Sequence, residues 1–210
     1  MRRRAFDAAL SSVGAVLTVA LIVAGALLMW GAVFTSNQVR SQLAAQRIFF
    51  PAASSPALKG PVYKLARPYA GEEVLTGAQA EAYANGKILP DLNRIAGGKT
   101  YAQLSAESLA HPNNAALAAE VNTVFRGTTL RGLLLEAYGY GMFGQIAFIA
   151  SIVSFVLAAA MLILTALGLR HMRRVSPDAV IWMGHSGATA PISNPGQIAL
   201  GPIGQRSMLR

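Results

Sequence analysis

Three histidines, His111, His171 and His185, and no cysteine stand in this 210-residue chain. A non-haem iron centre needs two imidazoles and a carboxylate converging on one metal. Neither H-x-x-x-H nor H-E-x-x-H spacing, which would place ligands on one helix face, occurs. A long apolar run also separates His111 from the other two, so a membrane would divide the set. The reading is no metal site and no cofactor. The lack of cysteine removes disulfides, thiolate ligands and cysteine nucleophiles together.

Nucleophilic catalysis has equally little to work with. There is no G-x-S-x-G, and a triad drawn from Ser105 or Ser108 with His111 and Asp91 is not required by any spacing. Glu72-Glu73 are adjacent carboxylates, which on a loop are ordinarily solvated, and two acids alone do not make a glycosidase. Tyr138-Gly139-Tyr140-Gly141 has the G-Y-G of a potassium filter, whose stacked carbonyls replace an ion's water. Ala137 and Tyr138 stand where that filter has Thr and Val, and almost nothing separates Gly141 from the following apolar run. The expected role is an interfacial elbow, with tyrosines at headgroup level and glycines allowing a bend. No catalytic residue is assigned, and the chain reads as non-enzymatic.

The elements that position these residues are two apolar runs, 13–34 and 143–169. The second holds no Asp, Glu, Lys or Arg over about 40 Å of helix, enough to cross a hydrocarbon core of about 30 Å. Only 13% of the chain is charged, against about 25% in soluble domains, and mean hydropathy is +0.42. The net charge of +9 is concentrated outside the runs, at Arg2, Arg3, Arg4, Arg170, Arg173, Arg174, Arg206 and Arg210. A nucleic-acid reading would need a cationic face with base-reading groups, so none is made. Arginines before the first run and after the second place both termini in the cytoplasm of a multi-pass plasma-membrane protein. The first run is too long for a cleaved signal core and reads as a signal-anchor. Trp30 and Phe34 fall at its outer interface.

The predicted class is thus an all-α integral membrane protein: a cytoplasmic N-terminus (1–12), a span (13–34), an extracytoplasmic helical domain (35–142), a second span (143–169), and a basic stop with a flexible tail (170–210). The outer segment is nearly balanced, with ten basic and seven acidic residues. Within it the first helix is expected to run on to Ile48 and end at Phe49-Phe50-Pro51, with the two phenylalanines packing on the domain. Residues 52–68 read as an extended linker. Thr76-x-x-Gln79 and Thr100-x-x-Gln103 are capping boxes, while Asn85-Gly86 and Gly97-Gly98 read as helix stops. Ile88, Leu92 and Ile95 make one stripe; Leu117, Val121, Val124 and Phe125 make another, on a helix expected to stop at Gly127. Small residues recur four apart at Ala20 and Ala24, and at Ala150, Ser154 and Ala158, the candidate helix-packing positions. Pairing within one chain and pairing between chains both remain open at this point. Gln145 either bonds across that contact or reaches the headgroups.

The segments RRRAFDAAL, LIVAGALLMWG, AQRIFFPAA, KTYAQLSAESLA and FRGTTLRGLLLEAYGYGMFGQIA together resemble two-span membrane proteins of actinobacteria. The resemblance covers about residues 6–175. It implies location and topology and carries over no site residues, that group having no established activity. The expected partners are the lipid bilayer and another envelope protein or a second copy. The leading expectation is an accessory or interaction subunit; the alternatives are an oligomeric channel or transport component and a small-molecule or lipid sensor.

Overall fold

In the computed structural model the described residues are 3–174; the tail, including His185, lies outside them. Two long helices dominate. Helix α1 (Arg3–Gln46) has 44 residues, and the last helix has 60 (Ala115–Arg174). Each holds a stretch long and apolar enough to cross a membrane. Between them come three successive 3₁₀ turns (Pro56–Leu58, Pro61–Tyr63, Arg67–Tyr69), then α2 (Gly77–Tyr83), a π turn (Ala84–Ile88), α3 (Leu89–Ile95) and α4 (Tyr101–Ala110). The long final helix is α5. No strand occurs among the described residues; a lone bridge pairs Phe49 with Glu73.

The two long helices pack antiparallel along a seven-residue period. On α1 the inward positions are Ser11, Thr18, Gly25, Ala32 and Val39, then Gly14, Leu21, Leu28 and Thr35 three places on. On α5 they are Gly144, Ser151, Ala158 and Thr165, then Ala147, Ser154, Met161 and Gly168. The seam is built largely of small residues, which let the backbones approach. A Cβ added to Gly25 would meet the Phe155 ring at 3.0 Å, and one added to Gly144 would meet Thr35 at 3.4 Å. Two hydroxyls in the seam are satisfied locally: Thr18 donates to the Gly14 carbonyl and Ser151 to the Phe148 carbonyl. Ser154 instead crosses the seam and donates to the Leu21 carbonyl at 2.8 Å. Large apolar side chains such as Val16, Val19, Leu27, Ile149, Val156 and Leu164 face outward.

Helix α1 ends at Arg47, whose φ of 49° is left-handed, so the chain turns back on itself. Phe50 and Val74 donate backbone bonds to Glu72 and Ile48, which clips the returning chain to the end of α1. The helical head is built on the extensions of both long helices. Its core joins Val39 and Leu43 of α1 and Leu134 of α5 to Phe50, Leu58, Tyr63, Val74 and Ile88. Phe50 is buried and packs against the rings of Tyr69 and Tyr83, whereas Phe49 stays exposed. A smaller cluster of Ala96, Leu104 and Val124, with Leu117 and Val121, seats α4 on the start of α5.

Both capping boxes form, each Thr hydroxyl accepting from the Gln backbone and each Gln amide returning the bond. Gly97 and Gly98 have φ of 57° and 84°, and the Gly98 N–H reaches back to the Asn93 carbonyl, closing α3. Several expectations are corrected, the packing of Phe49 on the domain among them, since it is exposed. Residues 52–68 are not extended: Arg67 donates to the Leu58 and Gly60 carbonyls and winds them into 3₁₀ turns over buried Leu58, Tyr63 and Ala66. Asn85-Gly86 does not stop a helix, because the chain passes through it as a π turn held by Arg131, which donates to Asn85 Oδ1 at 2.9 Å. Gly127 does not stop one either; α5 runs through it, and the glycine makes room for the Leu92 side chain. The Ile88, Leu92, Ile95 stripe is also shortened, since Ile95 is exposed and Ala96 is buried in its place.

At the edge of the head, Lys99 bonds Glu107 and holds its carboxyl below the ordinary value of 4.5. A lowered folded value means this bond contributes above the unfolded pKa and is lost as pH falls through the lowered one.

Candidate functional site

A groove lies where the head meets the paired helices. One wall is α1 from Ala32 to Arg40, another is α5 from Tyr138 to Phe148, and the lid is Leu75–Ala78 at the start of α2. Its volume is about 510 Å³. The lid is held close by two glycines: a Cβ on Gly77 would stand 3.1 Å from the Gly141 Cα, 3.2 Å from the Tyr138 Cα and 3.3 Å from the Ala137 carbonyl oxygen. Thr76 and Gln79 cap α2 here, and Gln79 also donates to Glu72 at 2.9 Å, tying the lid to the preceding loop.

These contacts set an expected outcome. Gly77→Ala places a methyl against three backbone atoms of α5 and costs about 2 kcal/mol, opening the lid. Faster hydrogen exchange across 75–83 in the full chain checks it.

The groove is graded. Asn37, Arg40, Thr76 and Tyr138 lie toward the head, Ser36 and Gln145 lie between, and Ala32, Val33 and Phe148 form the far end. Arg40 is the one charged residue in the lining. Among the described residues the ion pairs join Asp91 to Lys87 and Arg94, and Glu107 to Lys99, so Arg40 has no carboxylate partner.

Residues singled out for chemistry are not brought together. Asp91 accepts from Tyr63 at 2.9 Å, from Arg94 at 3.0 Å and from Lys87, while the His111 ring bonds the Glu107 carbonyl oxygen at 3.0 Å. Asp91 is thus a fastener between the 3₁₀ turns and α3. The Tyr63 hydroxyl titrates above its ordinary value because it donates to Asp91 and is desolvated; Tyr83 is raised chiefly by burial. Asp91→Asn leaves the nearly enclosed Lys87 ammonium without a counter-charge and costs about 2 kcal/mol, read as a lower head melting temperature. Glu72 is engaged with Gln79, and Glu73 takes part in the backbone bridge to Phe49. Among the described residues no group of three or more His, Asp or Glu is placed to hold a metal.

Tyr138, Gly139, Tyr140 and Gly141 form no elbow; they continue α5 as α-helix. Apolar helix formers flank them on both sides, and Gly141 serves the contact with Gly77, while a Cβ on Gly139 would meet nothing. Their carbonyls are engaged in the helix ladder and do not line an axis as a filter requires. Of the small residues, Ser154 and Ala158 are buried in the seam, Ala150 is half-buried beside it, and Ala20 and Ala24 are exposed.

No protein family, curated protein or solved structure matches the chain. Its function therefore rests on the geometry. The groove residues Arg40 and Gly77 were not apparent from sequence reasoning. The seven-residue period of small residues, which sets α1 against α5, is the signal that would have placed Arg40 opposite Tyr138.

Proposed function

We propose that the chain is a two-span plasma-membrane protein with both termini cytoplasmic and the helical head outside, acting without enzymatic chemistry as an accessory or interaction subunit of the cell envelope. The observation that carries this reading is the sorting of side chains along α1 and α5. A water-soluble helical hairpin buries its large apolar residues and exposes its small and polar ones. Here Ser11, Thr18, Ser151 and Ser154 are inside while Val16, Leu27, Ile149 and Leu164 are outside. That arrangement suits a solvent as apolar as leucine, where close packing and hydrogen bonds drive association. Arginines at both cytoplasmic ends and the stacked, exposed Trp30–Phe34 pair at the other end support the orientation. The head adds a folded surface with exposed Leu109, Phe125 and Leu130.

The chain contains no cysteine, so single reporters can be introduced cleanly. Leu109→Cys in intact cells is expected to react with a membrane-impermeant maleimide, and Ser12→Cys only after permeabilisation. The reverse pattern overturns the orientation. Native mass spectrometry of the tagged chain in mild detergent is expected to show a stoichiometric envelope partner; its absence overturns the accessory role.

A further inference from the structure

We infer that the groove between α1, α2 and α5 is a binding site for an anionic phospholipid, its phosphate at Arg40 and one acyl chain passing over Val33 and Phe148. The inference rests on the membrane reading and names the ligand that its head-membrane junction takes.

Position comes first. Gly144 faces Thr35 across the seam, and the helices run antiparallel, so Arg40 lies level with Tyr138, and Val33 with the turn that carries Phe148. The lining therefore changes from polar to apolar along the helix axes, from the head toward the spans. The same gradient runs through a lipid at the bilayer surface, from phosphate through glycerol to hydrocarbon. A groove for a soluble anion would gain nothing from the exposed Phe148 and Val33 at its lower end.

Charge comes second. Arg40 is the sole charged side chain in the lining and has no carboxylate partner among the described residues. A guanidinium at that height favours a phosphodiester, which it can hold by two parallel N–H donors. Asn37, Thr76 and Tyr138 add polar groups at the same level, suited to glycerol hydroxyls. With no carboxylate in the lining, a zwitterionic headgroup would bring its own cation to Arg40 without compensation.

Size comes third. A volume of about 510 Å³ is within the usual range of small-molecule sites and too small for a whole diacyl lipid. The groove takes the headgroup and the first part of one chain. The remainder continues down the exposed faces of α1 and α5, where lipid already lies under the membrane reading.

The test uses the full chain, purified in a neutral detergent and exposed to an equimolar mixture of phosphatidylglycerol and phosphatidylcholine, with bound lipid read by native mass spectrometry. Phosphatidylglycerol is expected to be retained about fivefold over phosphatidylcholine, the worth of one basic side chain facing an anionic headgroup. Arg40→Gln brings the ratio near one while leaving the lipid-free melting temperature unchanged, and Arg40→Lys keeps most of the preference. Ser36→Trp, which fills the middle of the groove, lowers retention of both lipids. A wild-type ratio near one, a ratio unaffected by Arg40→Gln, or equal thermal protection by inorganic phosphate overturns the inference. Carbonate extraction separates the two levels: a chain that stays in the membrane without lipid preference sinks the lipid site alone, whereas release by carbonate sinks the membrane reading and the site with it.

Discussion

Gly86→Ala lowers the melting temperature of the head, although helix propensity alone argues for the opposite. Exchanging a glycine for alanine inside helical backbone ordinarily gains about 1 kcal/mol. At Gly86 the new methyl would stand 2.7 Å from the Ala66 nitrogen, 2.8 Å from the Leu65 Cβ and 3.0 Å from the Leu65 carbonyl carbon. Most of those atoms are backbone, and Ala66 is fully buried beneath the π turn. They cannot swing aside as a flexible side chain would. Overpacking of this kind costs about 3 kcal/mol, so the clash exceeds the propensity gain by about 2 kcal/mol. The expected drop is roughly 4–8 °C for a chain of this size. Gly139→Ala is the matched control, since it lies in helix with nothing within 4 Å of the added methyl. It should hold or raise the melting temperature. Thermal unfolding of both variants in one detergent, followed by circular dichroism, decides the matter. A Gly86→Ala protein as stable as Gly139→Ala would mean that the 3₁₀ turns do not rest on the π turn.

The same residue shows where local sequence reading stops. Asn85-Gly86 carries the composition of a helix stop, and Gly97-Gly98 carries the same signal further along the chain. Only the second ends a helix, with both residues left-handed. The difference is tertiary: Arg131, forty-six positions away, bonds Asn85, and the chain at Leu65-Ala66 occupies the space a side chain would need. Gly127 is the same case on α5, a glycine present for Leu92 and not for a turn. The capping boxes at Thr76 and Thr100 were legible because each is completed within four residues. The two apolar runs were legible because length and composition suffice. The groove was not, since it depends on how α1 and α5 are set against each other over the full length of the seam.

Ser151→Leu and Ala158→Leu separate the two long helices, while Ala20→Leu and Ala24→Leu leave them together. All four positions hold small residues in apolar surroundings; the i, i+4 stripe groups Ala158 with Ala20 and Ala24 and passes over Ser151. The seven-residue period separates them correctly. Ser151 is 0% exposed and Ala158 3% exposed, at seam positions one period apart, whereas Ala20 and Ala24 are exposed and face away from α5. Three added carbons in the seam have no space, because the facing helix already fills it: even a Cβ at Gly14, Gly25 or Gly144 would meet Thr165, Phe155 or Thr35. Each seam substitution costs about 3 kcal/mol, and separation also strands the Ser154 hydroxyl from the Leu21 carbonyl. The outward pair changes stability by no more than about 0.5 kcal/mol. Dyes on Leu17→Cys and Leu162→Cys, two exposed positions at one level of the hairpin, report the distance by energy transfer as dodecyl sulfate is added. The seam variants should lose transfer at lower detergent fractions than the parent, and the outward variants should follow it. Equal sensitivity of Ala24→Leu and Ala158→Leu would mean that the outer face of α1 is also a packing face, occupied by a second copy or a partner span.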